Sequence, residues 1–443
     1  MVPLRSVAAL VASFMFGQAI LLNWGRYSDA AVTWVILGVL VVGALAWSTF
    51  RDDAWPLSPR LVAPATWLGL LALACEGAWA PRQLLYASSS WAQGQHARWA
   101  MAAAIFTWGL GLRHPESRKV RHVRFAALAA LVAFVGVQVI RSSPAPQIDV
   151  WTVQQEGAQV FLEGKNPFQD VHLADTGPRT ANDVPYVYPP LNLYVSSVAW
   201  ALLGDVRYGA VLALLLLGFA VRAIALEASV GLGLPAVLED APALLIWCTP
   251  MLPFIVEQGW IDPVQLCWCG ALFLAWDRPW LAAVLAGFVL GAKQTMLLLV
   301  LPVGLALRFS LRQWLVVGLV TLIPMLPWLL WDFGAYKHAN FDFLNALPVR
   351  DDALTVVTWA SRRLGLPIPW AVGFGSAAIV IALVGFRGRQ RPDRAAITVL
   401  TAMTLFFAFN KWAFANYYFT LLSLAALAAA ASLGARGKPV AAG

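Results

Sequence analysis

Charge is what this chain has least of: 12% of its 443 residues are Asp, Glu, Lys or Arg, against about a quarter in ordinary soluble domains. Together with a hydrophobic share of 60%, that deficit excludes a water-soluble enzyme. Cysteine is also scarce. Cys75, Cys248, Cys267 and Cys269 all fall inside apolar runs, where a free thiol behaves as a small hydrophobe, so neither a disulfide framework nor a zinc site is expected. No small-residue cleavage site follows the first apolar run, residues 6–25, which therefore reads as a retained helix. No internal repeat is visible. The net charge of +8 is no nucleic-acid signal, because the basic residues gather in short loops between apolar runs. Arg113, Arg118, Lys119, Arg121 and Arg124 form one cluster and Arg387, Arg389, Arg391 and Arg394 another, and both are expected on the cytoplasmic side.

The chain is rich in runs long enough to cross hydrocarbon, which takes about 20 apolar residues as helix. Five come first, near 6–25, 31–50, 61–80, 97–112 and 123–140. A polar loop at 142–187 follows, expected on the extracytoplasmic side. Further runs lie near 188–204, 208–228, 241–256 and 263–276, then a split pair near 280–292 and 295–307, then 314–331, 367–386, 395–409 and 414–433, with a second polar loop at 332–366. The predicted fold is all-α: a polytopic membrane helix bundle of about 13 transmembrane or re-entrant helices, with an extracytoplasmic loop carrying an interfacial helix. Three units are expected: residues 1–141 with five helices, the loop 142–187, and residues 188–443, whose helix breaks near 291–295. The crossing count does not close. With 142–187 outside and Asp277-Arg278 inside, an odd number of crossings should intervene, yet four apolar runs do. One of them is re-entrant, tilted or miscounted, and the side of 205–240 stays open.

Candidate functional residues are polar groups at helix ends on one face, since ionisable groups at membrane depth are costly and tend to serve a purpose. Asp149 stands at the start of a helix-like stretch from Val150 to Glu163 that stops at Gly164, and an N-cap role competes with a chemical one. Tyr188, before Pro189-Pro190, suits a headgroup anchor as well as a substrate contact. Glu257-Gln258-Gly259-Trp260-Ile261-Asp262 puts two carboxylates and an amide in one turn. Two acids leave room for a divalent cation, although without a third ligand they are a weak metal signal. Lys293 stands between two half-helices of about 13 residues, and a cation there needs water, a carboxylate or a phosphate. Asn416 and Tyr417, with Asn410-Lys411-Trp412 before them, have hydrogen-bonding groups suited to a sugar. Glu76 is the lone acid of the early apolar runs and reads as paired within the bundle.

In order, Asp149-Val150-Trp151, Gly164-Lys165-Asn166-Pro167-Phe168, Tyr188-Pro189-Pro190-Leu191, Glu257 to Asp262, Leu285-Ala286-Gly287 through Lys293-Gln294, and Asn416-Tyr417-Tyr418 resemble the C-superfamily of integral membrane glycosyltransferases. The nearest branch is the polyprenyl-phosphate-mannose-dependent α-mannosyltransferases. The resemblance covers about residues 142 to 433, and it implies that Asp149 is the catalytic base and that the sugar donor is a polyprenyl phosphate. One departure stands: the family places this loop after its first helix, whereas five apolar runs precede it here.

The expectation is thus transfer of a sugar, mannose by the branch, from a polyprenyl-phosphate donor to a glycan or glycolipid acceptor, by single displacement with inversion. It would occur at the extracytoplasmic side of a bacterial plasma membrane, with Lys293, Gln258, Asp262, Tyr188, Asn416 and Tyr417 as substrate-binding residues. A secondary transporter or flippase is the alternative, because broken helices also build midplane substrate sites. A non-catalytic scaffold for envelope assembly is a third reading.

Overall fold

In hydrocarbon a peptide N–H or C=O has no water to bond, so a chain this apolar satisfies its backbone within helices. The computed structural model describes residues 1–50, 56–79, 84–87, 92–113, 117–173, 184–369, 371–385 and 391–433. The fold is an all-α membrane bundle. Among the described residues, six helices are long and apolar enough to cross a membrane: Leu4–Gly25, Asp29–Ser48, Pro59–Trp79, Arg118–Ser142, Arg207–Ala228 and Ala415–Ser432. Among the described residues, strand is confined to two antiparallel pairs, Val2–Pro3 with Pro56–Leu57 and His172–Leu173 with Val184–Pro185.

Ala415–Ser432 forms the axis of the bundle, 94% of its apolar window being buried. Its run of alanines lets neighbouring backbones come close, which is how membrane helices associate when no water drives them together. Leu4–Leu21 lies along it, with Ser6 Oγ donating to the Ala429 carbonyl at 2.9 Å and Ser13 Oγ to that of Leu422 at 3.0 Å. The amino-terminal helices are therefore built into the bundle. Gln18 Nε2 donates to Glu76 at 3.3 Å, so the lone early acid does have a partner within it.

A second, smaller core lies at one face. Asp149–Leu162, Pro167–Asp170 and the segment around Tyr186 enclose Val153, Phe168 and Tyr186 together with Leu193, Trp328, Tyr336 and Phe343. Gly157 is needed there: a Cβ on it would meet the Tyr186 ring at 2.4 Å. Gly164 ends the helix with φ +74°. Asp149 is not the cap. Ile148 holds that position, and Asp149 is the first helical residue, its Oδ1 accepting from its neighbour Val150 N at 2.8 Å.

The crossing count closes on Pro190–Leu203. Fourteen residues rise about 21 Å, short of the roughly 30 Å of hydrocarbon. The helix packs along Asp149–Leu162, with Ser196 Oγ donating to Gln154 at 3.3 Å, and the Gly204 carbonyl at its end accepts from Gln155 Nε2 at 2.9 Å. Both ends thus lie at one face, and the run 188–204 does not cross. Asp205 and Arg207 share that face, Arg207 lying over the Trp151 ring at 5.4 Å. Glu239 and Asp240 lie at the opposite face, where Arg121 pairs with Glu239 and Arg222 with Asp240 at 2.6 Å. Three crossings then separate Asp205 from Asp277.

The break at Lys293 is one residue wide. Pro279–Ala292 ends there, Lys293 is extended (φ −160°, ψ 135°), and a 3-10 turn, Gln294–Met296, leads into Leu297–Ala306. Lys293 is thus the apex between two short helices, joined by a tight turn.

Candidate functional site

The apex lies under a cavity of about 1800 Å³ at the face that carries Asp149. Asp262–Leu274, Pro279–Ala292 and Leu297–Ala306, which all begin or end at the cavity floor, have 13, 14 and 10 residues. At 1.5 Å per residue each is about 15–21 Å long, short of the roughly 30 Å of hydrocarbon. All seven sequence-derived candidates, Asp149, Tyr188, Gln258, Asp262, Lys293, Asn416 and Tyr417, line this one space.

At the floor, Asp262 collects donors from its own helix, from Ala415–Ser432 and from the break at Lys293. Its Oδ1 accepts from Lys293 Nζ at 3.1 Å, Gln265 Nε2 at 2.8 Å and Thr420 Oγ1 at 3.1 Å, while Oδ2 accepts from Asn416 Nδ2 at 3.0 Å. Asp262 opens its own helix, where the backbone dipole favours an anion, and it is 1% exposed. Lys293 also faces the Tyr417 ring, Nζ to centroid 4.9 Å. Its ammonium has three N–H groups and one goes to Asp262, so two remain to answer an anion in the cavity.

The two acids of the 257–262 turn do not act as a pair. Glu257 is fully buried and accepts from the backbone N–H groups of Leu85 at 2.7 Å and Tyr86 at 2.9 Å. It pins a loop of the amino-terminal helices to the cavity wall. Gln258 Nε2 reaches Glu257 at 3.3 Å, and Gly259, at φ +67°, turns the chain so that its carbonyl accepts from Gln154 at 2.5 Å. That bond sets the Asp149 helix against the Asp262 turn. Among the described residues, no three His, Cys, Asp or Glu side chains come together as metal ligands, and the donors on Asp262 and Glu257 leave this pair poorly suited to share a divalent cation.

Asp149 is exposed at the rim. Tyr188 lines the same cavity as Asp149 and Asp262. Tyr86, which sequence reasoning missed, donates its hydroxyl to the Gln147 carbonyl at 2.8 Å. Burial pushes this phenol up, Glu257 adds to the rise, Arg26 opposes it and Asp149 adds a little more. Arg26 was missed as well. It follows a turn in which Asn23 and Trp24 hold φ of 58° and 59° and Gly25 holds 67°, and left-handed backbone at non-glycine residues is costly enough to need support from its surroundings. Gly25 is required twice over, since a Cβ there would also lie 2.6 Å from the Ala415 backbone. Only the run Asn23-Trp24-Gly25-Arg26, polar and aromatic between two apolar stretches, could have drawn attention to it.

The remaining wall is apolar, with Phe374, Phe406, Phe414 and Leu347. Lys411 is held beside it by the carbonyls of Leu344, Asn345 and Leu347 at 3.3, 3.4 and 2.9 Å.

No family model and no curated protein matches the chain. Among solved structures, the crystal structure of ArnT from Cupriavidus metallidurans bound to undecaprenyl phosphate superposes with a TM-score of 0.43 at 17% identity, over 71% of this chain and 60% of that one. This chain thus matches less than two thirds of that protein's length.

Proposed function

We propose that this protein is a membrane glycosyltransferase that moves a sugar, mannose by the branch its motifs resemble, from a polyprenyl-phosphate donor to a glycan or glycolipid acceptor at the extracytoplasmic face of a bacterial plasma membrane. The observation that carries the reading is a single cavity with a carboxylate at its water-facing rim, Asp149, and a cation at its floor, Lys293. Such an arrangement suits a reaction between one partner that comes from water and one that comes from lipid.

The donor sugar enters with its phosphate at the floor and its isoprenoid chain along the apolar wall. The acceptor hydroxyl comes from the rim. Its proton passes to the Asp149 carboxylate as its oxygen bonds the anomeric carbon, the carbon–oxygen bond to phosphate breaks, and that electron pair leaves with the polyprenyl phosphate. Lys293, held by Asp262 with two N–H groups to spare, meets the charge that develops on the phosphate. Base and leaving group on opposite sides of the sugar give inversion, so a β-linked donor yields an α-linked product. Asn416 is fixed by Asp262, Tyr417 by its place over Lys293 and Gln258 Nε2 by Glu257, which leaves Tyr188 and the side-chain carbonyl of Gln258 to contact the sugar between them.

Purified protein in lipid nanodiscs, given labelled polyprenyl-phosphate mannose and an acceptor extract, tests this. Wild type transfers label to the acceptor and Asp149→Asn loses transfer while still binding donor. Label that crosses the membrane without bond exchange would instead establish the transporter.

A further inference from the structure

Four cations line the cavity, and three of them are answered from within the protein. Lys293 has Asp262, Lys411 has three carbonyls, and Arg350 forms a two-bond pair with Asp352, both contacts at 2.9 Å. Arg26 is different: among the described residues its guanidinium makes no ion pair. The acids of the neighbouring segment are already engaged. Arg26 forms a β-bridge with Ala353, and Tyr27 N donates to the Asp352 carbonyl at 2.9 Å, which brings the 350–354 segment alongside. There Asp352 holds Arg350, Asp351 holds Arg362 at 3.6 Å, and Asp29 is taken by Arg363.

Place decides what such a cation does. Trp24 packs on Phe254, one turn before the Glu257 that holds Tyr86, and the Tyr86 hydroxyl reaches the Gln147 carbonyl just before Asp149, so Arg26 and Asp149 line the same part of the rim. Next to them, Trp24, Phe254 and Trp260 pack edge to face, with centroids 5.1 and 5.3 Å apart in sequence, and both indoles line the cavity. Lys293 belongs to the floor. The strained turn at 23–25 keeps Arg26 at this rim, locked against the start of Ala415–Ser432 by Gly25.

We infer that Arg26 forms an anion subsite beside the base, and that the acceptor therefore carries a carboxylate or phosphate near the hydroxyl that reacts, with the Trp24–Trp260 wall against its sugar. The inference rests on the glycosyltransferase reading for the word acceptor, while the anion subsite itself does not. A guanidinium binds either oxyanion through paired N–H groups, which a hydroxyl cannot match. The amino-terminal helices thereby select the acceptor, and the helices after residue 188 hold the donor.

The test is equilibrium binding to the full chain in nanodiscs, using octyl glucoside, octyl glucuronide and octyl glucoside 6-phosphate as water-side probes and undecaprenyl phosphate as a separate arm. Wild type should bind one or both anionic probes about tenfold more tightly than the neutral one, the worth of one charge-assisted contact. Arg26→Gln should abolish that preference, Arg26→Lys should restore part of it, and undecaprenyl phosphate should bind all three proteins alike, which also shows that the variants fold. No preference in wild type overturns the inference. So does loss of undecaprenyl phosphate binding in Arg26→Gln, which would make Arg26 a ligand of the donor. If the preference holds but no polyprenyl-phosphate sugar is ever transferred, the subsite stands and the glycosyltransferase reading alone falls.

Discussion

The two faces of this bundle use the same side chains to opposite ends. At the face away from the cavity, Arg222 meets Asp240 at 2.6 Å and His122 at 2.9 Å, Arg121 meets Glu239, and Arg391 meets Asp393 at 2.9 Å. The Arg222 and Arg121 contacts tie Arg118–Ser142, Arg207–Ala228 and Ala236–Trp247 together. At the cavity face the charges sit around open space, with Asp149 and Arg26 among the residues that line it. A cation or a carboxylate in a membrane protein is therefore no sign of function by itself. What distinguishes the two faces is whether the pair closes on itself or leaves hydrogen-bonding capacity facing a void.

The sharpest way to break that comparison is at the rim. Asp149→Asn keeps the shape and removes the base, and general-base catalysis contributes roughly 10²–10⁴ in rate. Turnover should fall by at least about a hundredfold with donor affinity and thermal stability unchanged. A fall in stability that matches the loss of turnover would return Asp149 to a structural role in the first turn of its helix.

Next in size is a matched pair of disruptions. Removing one partner of a buried ion pair costs about 3–5 kcal/mol, and both Asp262→Asn and Asp240→Asn do so, each carboxylate being 1% exposed. Thermal denaturation in nanodiscs should show losses of the same order for both. Turnover per folded molecule should separate them: Asp262→Asn also frees Lys293 from its position and loses transfer, whereas Asp240→Asn turns over as wild type. Equal turnover in the two variants would mean that the floor pair only holds helices, as its counterpart does.

The helices and their order were legible because apolar runs of membrane length leave little else for the chain to do. The seven candidates were also legible as polar interruptions of such runs, and the structure places all of them around one cavity. What could not be read came from distance along the chain. Tyr86 and Arg26 reach the cavity only because Glu257, about 170 positions later, holds the 84–87 loop, and because Gly25 packs on Ala415. The crossing count failed for a local reason. Pro190–Leu203 is apolar like a span, and its two telling features, 14 residues and a stop at Gly204 with φ +75°, look like an ordinary short helix until Gln155 is seen at its end. Asp149 was displaced by one residue from its predicted capping place, because Ile148 takes the extended conformation that begins the helix.

Gly25→Ala probes that long-range joint between the amino-terminal helices and the site. Left-handed backbone at a residue with a side chain costs about 1–3 kcal/mol, and the added carbon also meets the Ala415 backbone. Denaturation should show a loss in that range. If the joint sets the rim, the Michaelis constant for acceptor should rise while that for donor stays put; a loss of stability alone would confine the turn to packing.

The smallest effect concerns a carboxyl at the cavity face that, unlike Asp240, has no cation to answer it. Glu156, in the middle of Asp149–Leu162, is pushed up from the ordinary glutamate value of 4.5 by burial alone. In the unfolded chain it ionises as pH rises through 4.5, but in the folded protein it does so only at higher pH, so the folded state holds the proton longer. Stability is thus intact below the ordinary value and is lost as pH rises from there to the raised folded value. The side chain is only partly buried and solvent still screens it, which reduces the effect to a few tenths of a kcal/mol. Glu156→Gln should therefore denature at the same temperature as wild type at pH 4 and slightly higher at pH 7.5. The same shift at both pH values would show that the gain comes from packing along Asp149–Leu162 and that the carboxyl ionises over the same pH range in the folded and unfolded chain.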